Sequence, residues 1–204
     1  MSEKINIAVL VSGGGTNLQA LIDALESGII KSGEITVVIS SSPDAFAIER
    51  AAKAGIKSAV VSKKACGSRA DFEAGIIKVL EDEKIDLIVL AGFMCILSEN
   101  FTKKYADRII NVHPSLIPSF CGEGFYGLKV HEAALEYGVK VTGATVHFVN
   151  EIPDGGKIIV QKAVKICRND TPKVLQERVM KQAEWIILPK AVEQVSKDLL
   201  KERK

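Results

Sequence analysis

The sequence predicts an α/β fold: a doubly wound, mostly parallel Rossmann-like sheet with an antiparallel addition at one edge near the C-terminus. Short β-branched runs alternate with helical patterns over the first two thirds of the chain. Two strand-like runs then follow without an intervening helix, and the end of the chain is helical again. The alternation favours parallel strands joined by right-handed crossovers, which is the basis of the prediction.

Five apolar runs predict the parallel strands. Each is apolar almost throughout, as strands are when helices cover both faces of a sheet. They are Ile5–Val11, 35–40, 58–62, 86–91 and Ile109–His113. The two later runs, 141–149 and 157–166, are joined by a turn-forming stretch and predict the antiparallel strands.

Apolar residues at the spacing i, i+3, i+4 and i+7 predict helices between the strands. The spacing recurs at Leu18, Leu21, Ile22 and Leu25, and a similar pattern at Phe72, Ile76, Val79 and Leu80. Further helices are expected over Leu128–Tyr137 and from Thr171 onward. We expect Pro189 to kink or split the last of these, because proline lacks the N–H that a helix interior requires.

Length and composition predict one soluble globular domain over residues 1–204. Apolar residues make up 47% of the chain and charged residues 25%, which excludes intrinsic disorder. The net charge is +2, and acidic and basic residues are interspersed along the sequence. The sequence therefore shows no basic cluster of the kind that binds nucleic acid or an anionic membrane. The oligomeric state is not fixed by the sequence, and a homodimer is one arrangement that it allows.

The cysteines, histidines and apolar runs predict a cytoplasmic protein without a metal site. The uncharged apolar run 87–98 is too short to span a membrane, and the N-terminus lacks a signal-peptide cleavage site. The four cysteines form no Cys-x-x-Cys pair, and the three histidines lack metal-binding spacing. We therefore expect free thiols and no metal.

A triple glycine after the first strand predicts a phosphate site. Gly13, Gly14 and Gly15 run directly into a helix, where bare amides and the helix dipole favour an anion. The loop lacks the Gly-Lys-Ser/Thr element of a P-loop, and Leu18 stands where a dinucleotide fingerprint needs its third glycine. No acid ends the second strand either, so NAD is not expected. The alternative is a tight turn with Thr16 or Asn17 as helix cap.

The fifth strand ends in a second candidate group. Asn111 and His113 stand two apart on an extended strand, so both side chains face one ligand, and Pro114 keeps His113 extended. An amide donor beside an imidazole suits an oxyanion. The alternative is a polar strand end with a satisfied histidine.

Four other polar residues have plainer interpretations. Asp154, before two glycines, is ordinary turn chemistry unless a partner is found for it. His131 and His147 are more often structural than catalytic in such positions. Arg69 follows Ser68 in a capping-box pattern, which leaves it exposed unless it serves a ligand.

These motifs together resemble the phosphoribosylglycinamide formyltransferases. The resemblance covers almost the whole chain, and its segments are 12–19, 90–94, 111–118 and 147–156. It implies transfer of a formyl group from 10-formyltetrahydrofolate to the amine of glycinamide ribonucleotide, in purine synthesis. The expected partners are these small molecules, with the formyl folate as cosubstrate and no metal.

The resemblance also implies residue roles. The catalytic positions are Asn111, His113 and Asp154. The ribonucleotide contacts are Gly13, Gly14, Gly15, Thr16, Asn17 and Glu184. The folate contacts are Arg69, Met94, Cys95, Ile96, Leu97, Asn111, Asn150 and Asp154.

The chain departs from the family pattern in three places. Cys95 stands where many members have Arg, and the loop 119–127 is longer, with Cys121 where Pro is common. The spacing from Arg178 to Glu184 is one residue longer than expected. Two other enzymes share the same core motifs. A folate hydrolase usually carries an extra N-terminal domain and a methionyl-tRNA formyltransferase an extra C-terminal domain, and we expect neither domain here. A non-catalytic nucleotide sensor is the alternative outside the enzymes.

Overall fold

A seven-stranded sheet organises the computed structural model, which describes residues 3–203. The strands are β1 (Ile5–Val11), β2 (Gly33–Ser40), β3 (Lys57–Val60), β4 (Leu87–Leu90), β5 (Ile109–His113), β6 (Val141–Phe148) and β7 (Ile158–Lys165). The helices are α1 (Thr16–Glu26), α2 (Phe46–Lys53), α3 (Arg69–Asp82), α4 (Glu99–Lys104), α5 (Leu128–Tyr137), α6 (Pro172–Val179) and α7 (Trp185–Glu202). A π-helical turn, Met180–Glu184, joins α6 to α7.

The strand order confirms the predicted fold class. The order is β3-β2-β1-β4-β5-β6-β7; β1 to β5 are parallel, β6 is antiparallel to β5, and β7 is antiparallel to β6. The chain winds outward from β1 in one direction and from β4 in the other. In such sheets ligands bind in the crevice beyond the carboxyl ends of the strands at this switch point.

Two apolar cores cover the two faces of the sheet. Alternate residues of β1 point to opposite faces: Ile7 and Val9 join the core built with α1 and α7, whereas Ala8 and Leu10 join the core built with α3 and α4. This double burial is why the parallel strands read as continuous apolar runs rather than as alternating ones.

The structure differs from the sequence predictions at element ends and at one proline. The strands predicted at 58–62, 86–91, 141–149 and 157–166 are shorter by one or more residues at one or both ends, and β2 begins earlier, at Gly33. The expectation that Pro189 splits the last helix is wrong. The irregular turn is Met180–Glu184, and α7 continues through Pro189, whose missing N–H falls in the early turns of that helix. No helix within residues 3–203 is long and apolar enough to cross a membrane.

Candidate active site

A cavity of about 1030 Å³ opens at the carboxyl ends of β1, β4 and β5. The loops after all three strands line it, as do the first turn of α5, the β6–β7 loop and the π-helical turn. Predicted site residues from distant parts of the chain therefore meet in one space, which is large enough for two small molecules side by side.

The triple glycine leaves the N-terminus of α1 open to a ligand. Gly15 is the N-cap, in the left-handed conformation with φ 69°, and no side chain caps the helix. The alternative of a Thr16 or Asn17 cap is therefore wrong. A Cβ on Gly15 would lie 2.6 Å from Ala47 Cβ, whereas Gly13 and Gly14 face open space. The uncapped amides of α1 are donors without an intrahelical partner, which is the arrangement that binds phosphate.

Asn17 links this loop to Glu184. Its Nδ2 donates to Glu184 Oε2 at 2.7 Å, and both side chains are buried beside the cavity. Burial raises the pKa of Glu184 to about 7, and the Asn17 hydrogen bond opposes that rise. A π turn holds one residue more than an α turn, so it absorbs the extra residue between Arg178 and Glu184 and keeps Glu184 on the cavity side.

The structure brings Asn111, His113 and Asp154 together. Asp154 lies in the β6–β7 loop with φ 56°, and its carboxylate points back to β5, where Oδ2 lies 3.4 Å from His113 Nδ1. Gly122 N–H donates to the same oxygen at 2.8 Å. Asp154 therefore has the partner that its interpretation as a simple turn residue lacked.

Burial and neighbouring groups shift the pKa values of both His113 and Asp154. Burial lowers the pKa of His113, while the Asp154 charge and the Phe120 carbonyl oppose that shift. Burial would raise the pKa of Asp154, but the neighbouring His147 ring, the charge of His113 and the Gly122 hydrogen bond lower it overall. Asp154 is thus a carboxylate at neutral pH, positioned to stabilise a proton on His113.

Both ring nitrogens of His113 face acceptors. Nε2 lies 2.8 Å from the carbonyl oxygen of Phe120, at the base of the loop 119–127, and Nδ1 faces Asp154. A protonated ring satisfies both contacts, whereas a neutral ring can donate to only one. The geometry therefore favours the imidazolium form once charge develops nearby.

His147 holds the Asn111 amide in place. The antiparallel register pairs the two residues directly, and Asn111 Nδ2 lies 3.2 Å from His147 Nε2. His147 Nδ1 lies 2.7 Å from the carbonyl oxygen of Phe148, so Nδ1 carries the proton and Nε2 accepts from Asn111. This pairing depends on the β5–β6 register, which cannot be predicted from the residue pattern alone.

The predicted folate segment forms another wall of the cavity. Met94, Cys95, Ile96 and Leu97 all line it. Met94 N–H donates to Ser12 Oγ at 2.9 Å, which ties the loop after β4 to the loop after β1.

Two predicted folate contacts, Arg69 and Asn150, form hydrogen bonds to other groups of the protein. Arg69 lies outside the cavity lining; its Nη2 donates to the carbonyl oxygen of Ile96 at 2.9 Å, so it braces the loop after β4 from behind. Asn150 lines the cavity, but its Oδ1 accepts from Ile152 N–H within the β6–β7 loop. Across residues 3–203 no group of three or more His, Cys, Asp or Glu is placed to hold a metal ion.

Comparisons with known proteins agree on one family. The family model described as Formyl transferase matches residues 5–192. Phosphoribosylglycinamide formyltransferase of Escherichia coli (strain K12) is 42% identical over 178 residues, which cover 87% of this chain and 81% of that protein. The solved structure of glycinamide ribonucleotide transformylase 1 from Symbiobacterium toebii superposes with a TM-score of 0.90 at 39% identity, covering 97% of this chain and 90% of that one.

A longer relative contains the same unit. Trifunctional purine biosynthetic protein adenosine-3 of Homo sapiens is 46% identical over 194 residues, which cover 95% of this chain. The matched region makes up only 18% of that protein, so this chain spans less than a fifth of its length.

Proposed function

The chain belongs to the formyl transferase family, and we propose that it transfers the formyl group of 10-formyltetrahydrofolate to the amine of glycinamide ribonucleotide in purine biosynthesis. The observation that carries the proposal is the Asp154 carboxylate facing His113 beside Asn111, in the cavity that also receives the uncapped N-terminus of α1. The amide, imidazole and carboxylate supply the chemistry, and the helix terminus supplies the anion site. The whole of residues 1–204 acts as one formyltransferase domain in this proposal.

The two substrates occupy different halves of the cavity. The amides of Gly13 to Asn17 hold the ribonucleotide phosphate, and Glu184 accepts hydrogen bonds from the ribonucleotide. The folate lies along the segment from Met94 to Leu97 and the β6–β7 loop. Between them lie Asn111, His113 and Asp154, where the amine meets the formyl carbon.

The reaction is an acyl transfer through a tetrahedral oxyanion. The amine nitrogen bonds to the formyl carbon, and the carbonyl electrons move to its oxygen, where the Asn111 amide and protonated His113 stabilise the negative charge. Loss of one such donor typically slows acyl transfer by about 10²-fold to 10³-fold. The C=O bond then re-forms as the C–N bond to folate breaks, and the proton lost by the amine passes to the departing nitrogen, with Asp154 and a water as the relay.

The loop 119–127 has to shift during this reaction. In the free protein the Phe120 carbonyl accepts the hydrogen bond from His113 Nε2, which the oxyanion takes in the proposed mechanism. Substrate binding therefore replaces a protein acceptor with the reacting oxygen.

A folate hydrolase is the main rival, because the same three side chains can direct water at the formyl carbon. The uncapped helix terminus and the buried Asn17–Glu184 pair favour the transferase, since a hydrolase needs no second ligand there. A cytoplasmic location belongs to the same proposal and agrees with the four free thiols.

The deciding assay follows loss of the formyl group from a 10-formylfolate optically, with and without glycinamide ribonucleotide. The proposal predicts turnover only when both are present. Turnover without the ribonucleotide would make the protein a hydrolase, and no turnover in either case would leave a non-catalytic sensor.

A further inference from the structure

Arg50 is a charged side chain of α2 that holds the loop after β1 and that the mechanism above does not use. Its Nε donates to the carbonyl oxygen of Gly14 at 2.8 Å, and its Nη1 donates to Gln19 Oε1 at 3.0 Å. Its guanidinium also lies over the Phe46 ring, 5.0 Å from the ring centroid. Arg50 lies outside the cavity lining, so any effect that it has on a ligand there acts through the loop.

The hydrogen bonds from α2 set the direction of two backbone N–H groups in the loop. Ala47 N–H donates to the carbonyl oxygen of Gly13 at 3.1 Å. Arg50 holds the carbonyl oxygen of Gly14 in the same way. In a trans peptide, the C=O group and the N–H of the next residue point in opposite directions. The N–H groups of Gly14 and Gly15 therefore point away from α2, toward the cavity that both glycines line.

Arg50 also adds a positive charge behind the N-terminus of α1. The groups that its guanidinium contacts are a backbone carbonyl, a side-chain amide and an aromatic ring, all of which are neutral. The first turn of α1 contains no acidic residue, so no carboxylate there offsets the positive end of the helix dipole. A cation at this end of a helix is unfavourable until an anion binds, so the arrangement favours an anionic ligand.

We propose that Arg50 is a positioning residue for the ribonucleotide phosphate. Its hydrogen bond to Gly14 keeps the Gly15 N–H directed at a phosphate oxygen, and its charge strengthens the attraction from behind the loop. No bond forms or breaks at Arg50, so it acts on ribonucleotide binding and not on formyl transfer itself. This inference rests on the proposed function, because the ligand that Arg50 positions is the substrate assigned there.

The test compares Arg50→Met with Lys53→Met, a matched control on the same helix. Lys53 Nζ lies 5.7 Å from the centroid of the same Phe46 ring. Both substitutions remove one positive charge from α2 and one cation from that ring, but Arg50→Met also removes the hydrogen bond to Gly14. A general change in charge or in packing on Phe46 therefore affects both variants, and a loss of loop positioning affects Arg50→Met alone.

Titration calorimetry measures binding of glycinamide ribonucleotide and of 10-formyltetrahydrofolate to the wild type and the variants. We expect Arg50→Met to bind the ribonucleotide about tenfold more weakly, the order expected for loss of a hydrogen bond from a charged donor, with folate affinity unchanged. Lys53→Met should bind both ligands as the wild type does. Arg50→Lys keeps the charge but lacks the planar guanidinium, so its ribonucleotide affinity should lie between those of Arg50→Met and the wild type.

Steady-state kinetics and thermal unfolding separate positioning from a purely structural role. In Arg50→Met the ribonucleotide KM should rise, while kcat at saturation and the folate KM stay at the wild-type values. A purely structural residue would instead lower the Tm and leave the ribonucleotide KM unchanged.

Unchanged ribonucleotide affinity in Arg50→Met would overturn the inference, and so would an equal loss for both ligands or an equal loss in Lys53→Met. If Arg50→Met does not fold, Arg50→Lys decides, because ribonucleotide affinity equal to that of the wild type would overturn the inference as well. A wild type that binds no ribonucleotide at all would instead refute the proposed function.

Discussion

At the scale of single residues, the site depends on side chains whose role follows from a partner distant in sequence. Asn111 and His113 could be predicted from their spacing on one strand, because the period of a strand is local information. The role of Asp154 follows from its 3.4 Å contact with His113, and that of His147 from the β5–β6 register. Neither contact is visible in the residue pattern, so only the family resemblance pointed to Asp154.

Asp154→Asn tests whether the carboxylate charge matters. Asn accepts the left-handed conformation that this position adopts, with φ 56°, and is nearly isosteric. We expect kcat to fall by about 10² to 10⁴, the range for lost acid–base catalysis, with both KM values and the Tm little changed. A kcat within threefold of the wild type would return Asp154 to a turn role.

Substitutions at Gly14 and Gly15 test phosphate binding and the structure of the loop separately. Gly14→Val adds bulk in open space, so it should raise the ribonucleotide KM while the Tm and the folate KM stay near the wild-type values. Gly15→Val places its Cβ against Ala47 at a positive φ and should lower the Tm itself. If Gly14→Val weakened folate binding as much as ribonucleotide binding, the phosphate assignment would be wrong.

Glu184 should make stability depend on pH. Its pKa is about 7 in the folded protein against an ordinary 4.5, so between these values the folded state binds more protons and stability falls as pH rises. At about 1.4 kcal/mol per pH unit, the loss amounts to about 3 kcal/mol above pH 7. Glu184→Gln should remove that loss and unfold at higher denaturant concentration than the wild type at pH 8.

Glu193→Gln is the control, because the pKa of Glu193 is shifted in the opposite direction to that of Glu184. Burial would raise the pKa of Glu193, but the N–H groups of Ser32 and Lys31 and the Lys197 side chain lower it overall. Its charge therefore stabilises the fold above about pH 4.5, so Glu193→Gln should be destabilised by a similar amount at pH 5 and at pH 8. Denaturation of both variants at pH 5 and pH 8 checks the contrast, and parallel pH profiles would contradict the assignment of Glu184.

At the scale of elements, the π-helical turn is the feature that sequence reasoning did not predict. Helix periodicity indicated a helix from Thr171 and suggested a break at Pro189, because proline is a local signal. A π turn has no comparable signature in its residues. The one indication was the extra residue between Arg178 and Glu184, and its structural meaning appears only in the turn Met180–Glu184.

Deleting Lys181 tests whether the π turn only accommodates an extra residue. Lys181 is exposed, and removing it should convert the turn to regular α-helix with α6 and α7 still in register. We expect a Tm within a few degrees of the wild type and an unchanged ribonucleotide KM. Deleting the exposed Lys190 from α7 is the control, because it rotates the rest of that helix and should unfold the protein. Similar damage from both deletions would contradict this account of the turn.

At the scale of the whole molecule, the strand order places the cavity. The switch point between β1 and β4 opens a crevice at the carboxyl ends of the parallel strands, and the loops after β1, β4 and β5 converge there. This convergence could be predicted from the alternation of strands and helices, because the rule for parallel sheets is general. The ends of strands were less predictable, since backbone pairing with neighbours decides where a strand stops.

We propose that this crevice moves a formyl group from one ligand to the other. The most direct measurement is the destination of the formyl carbon in a single turnover with carbon-13-labelled 10-formyltetrahydrofolate and glycinamide ribonucleotide, followed by NMR. We expect the label to appear as a formamide on the ribonucleotide amine, with none released as formate. Label found as free formate while the ribonucleotide stays unmodified would contradict it.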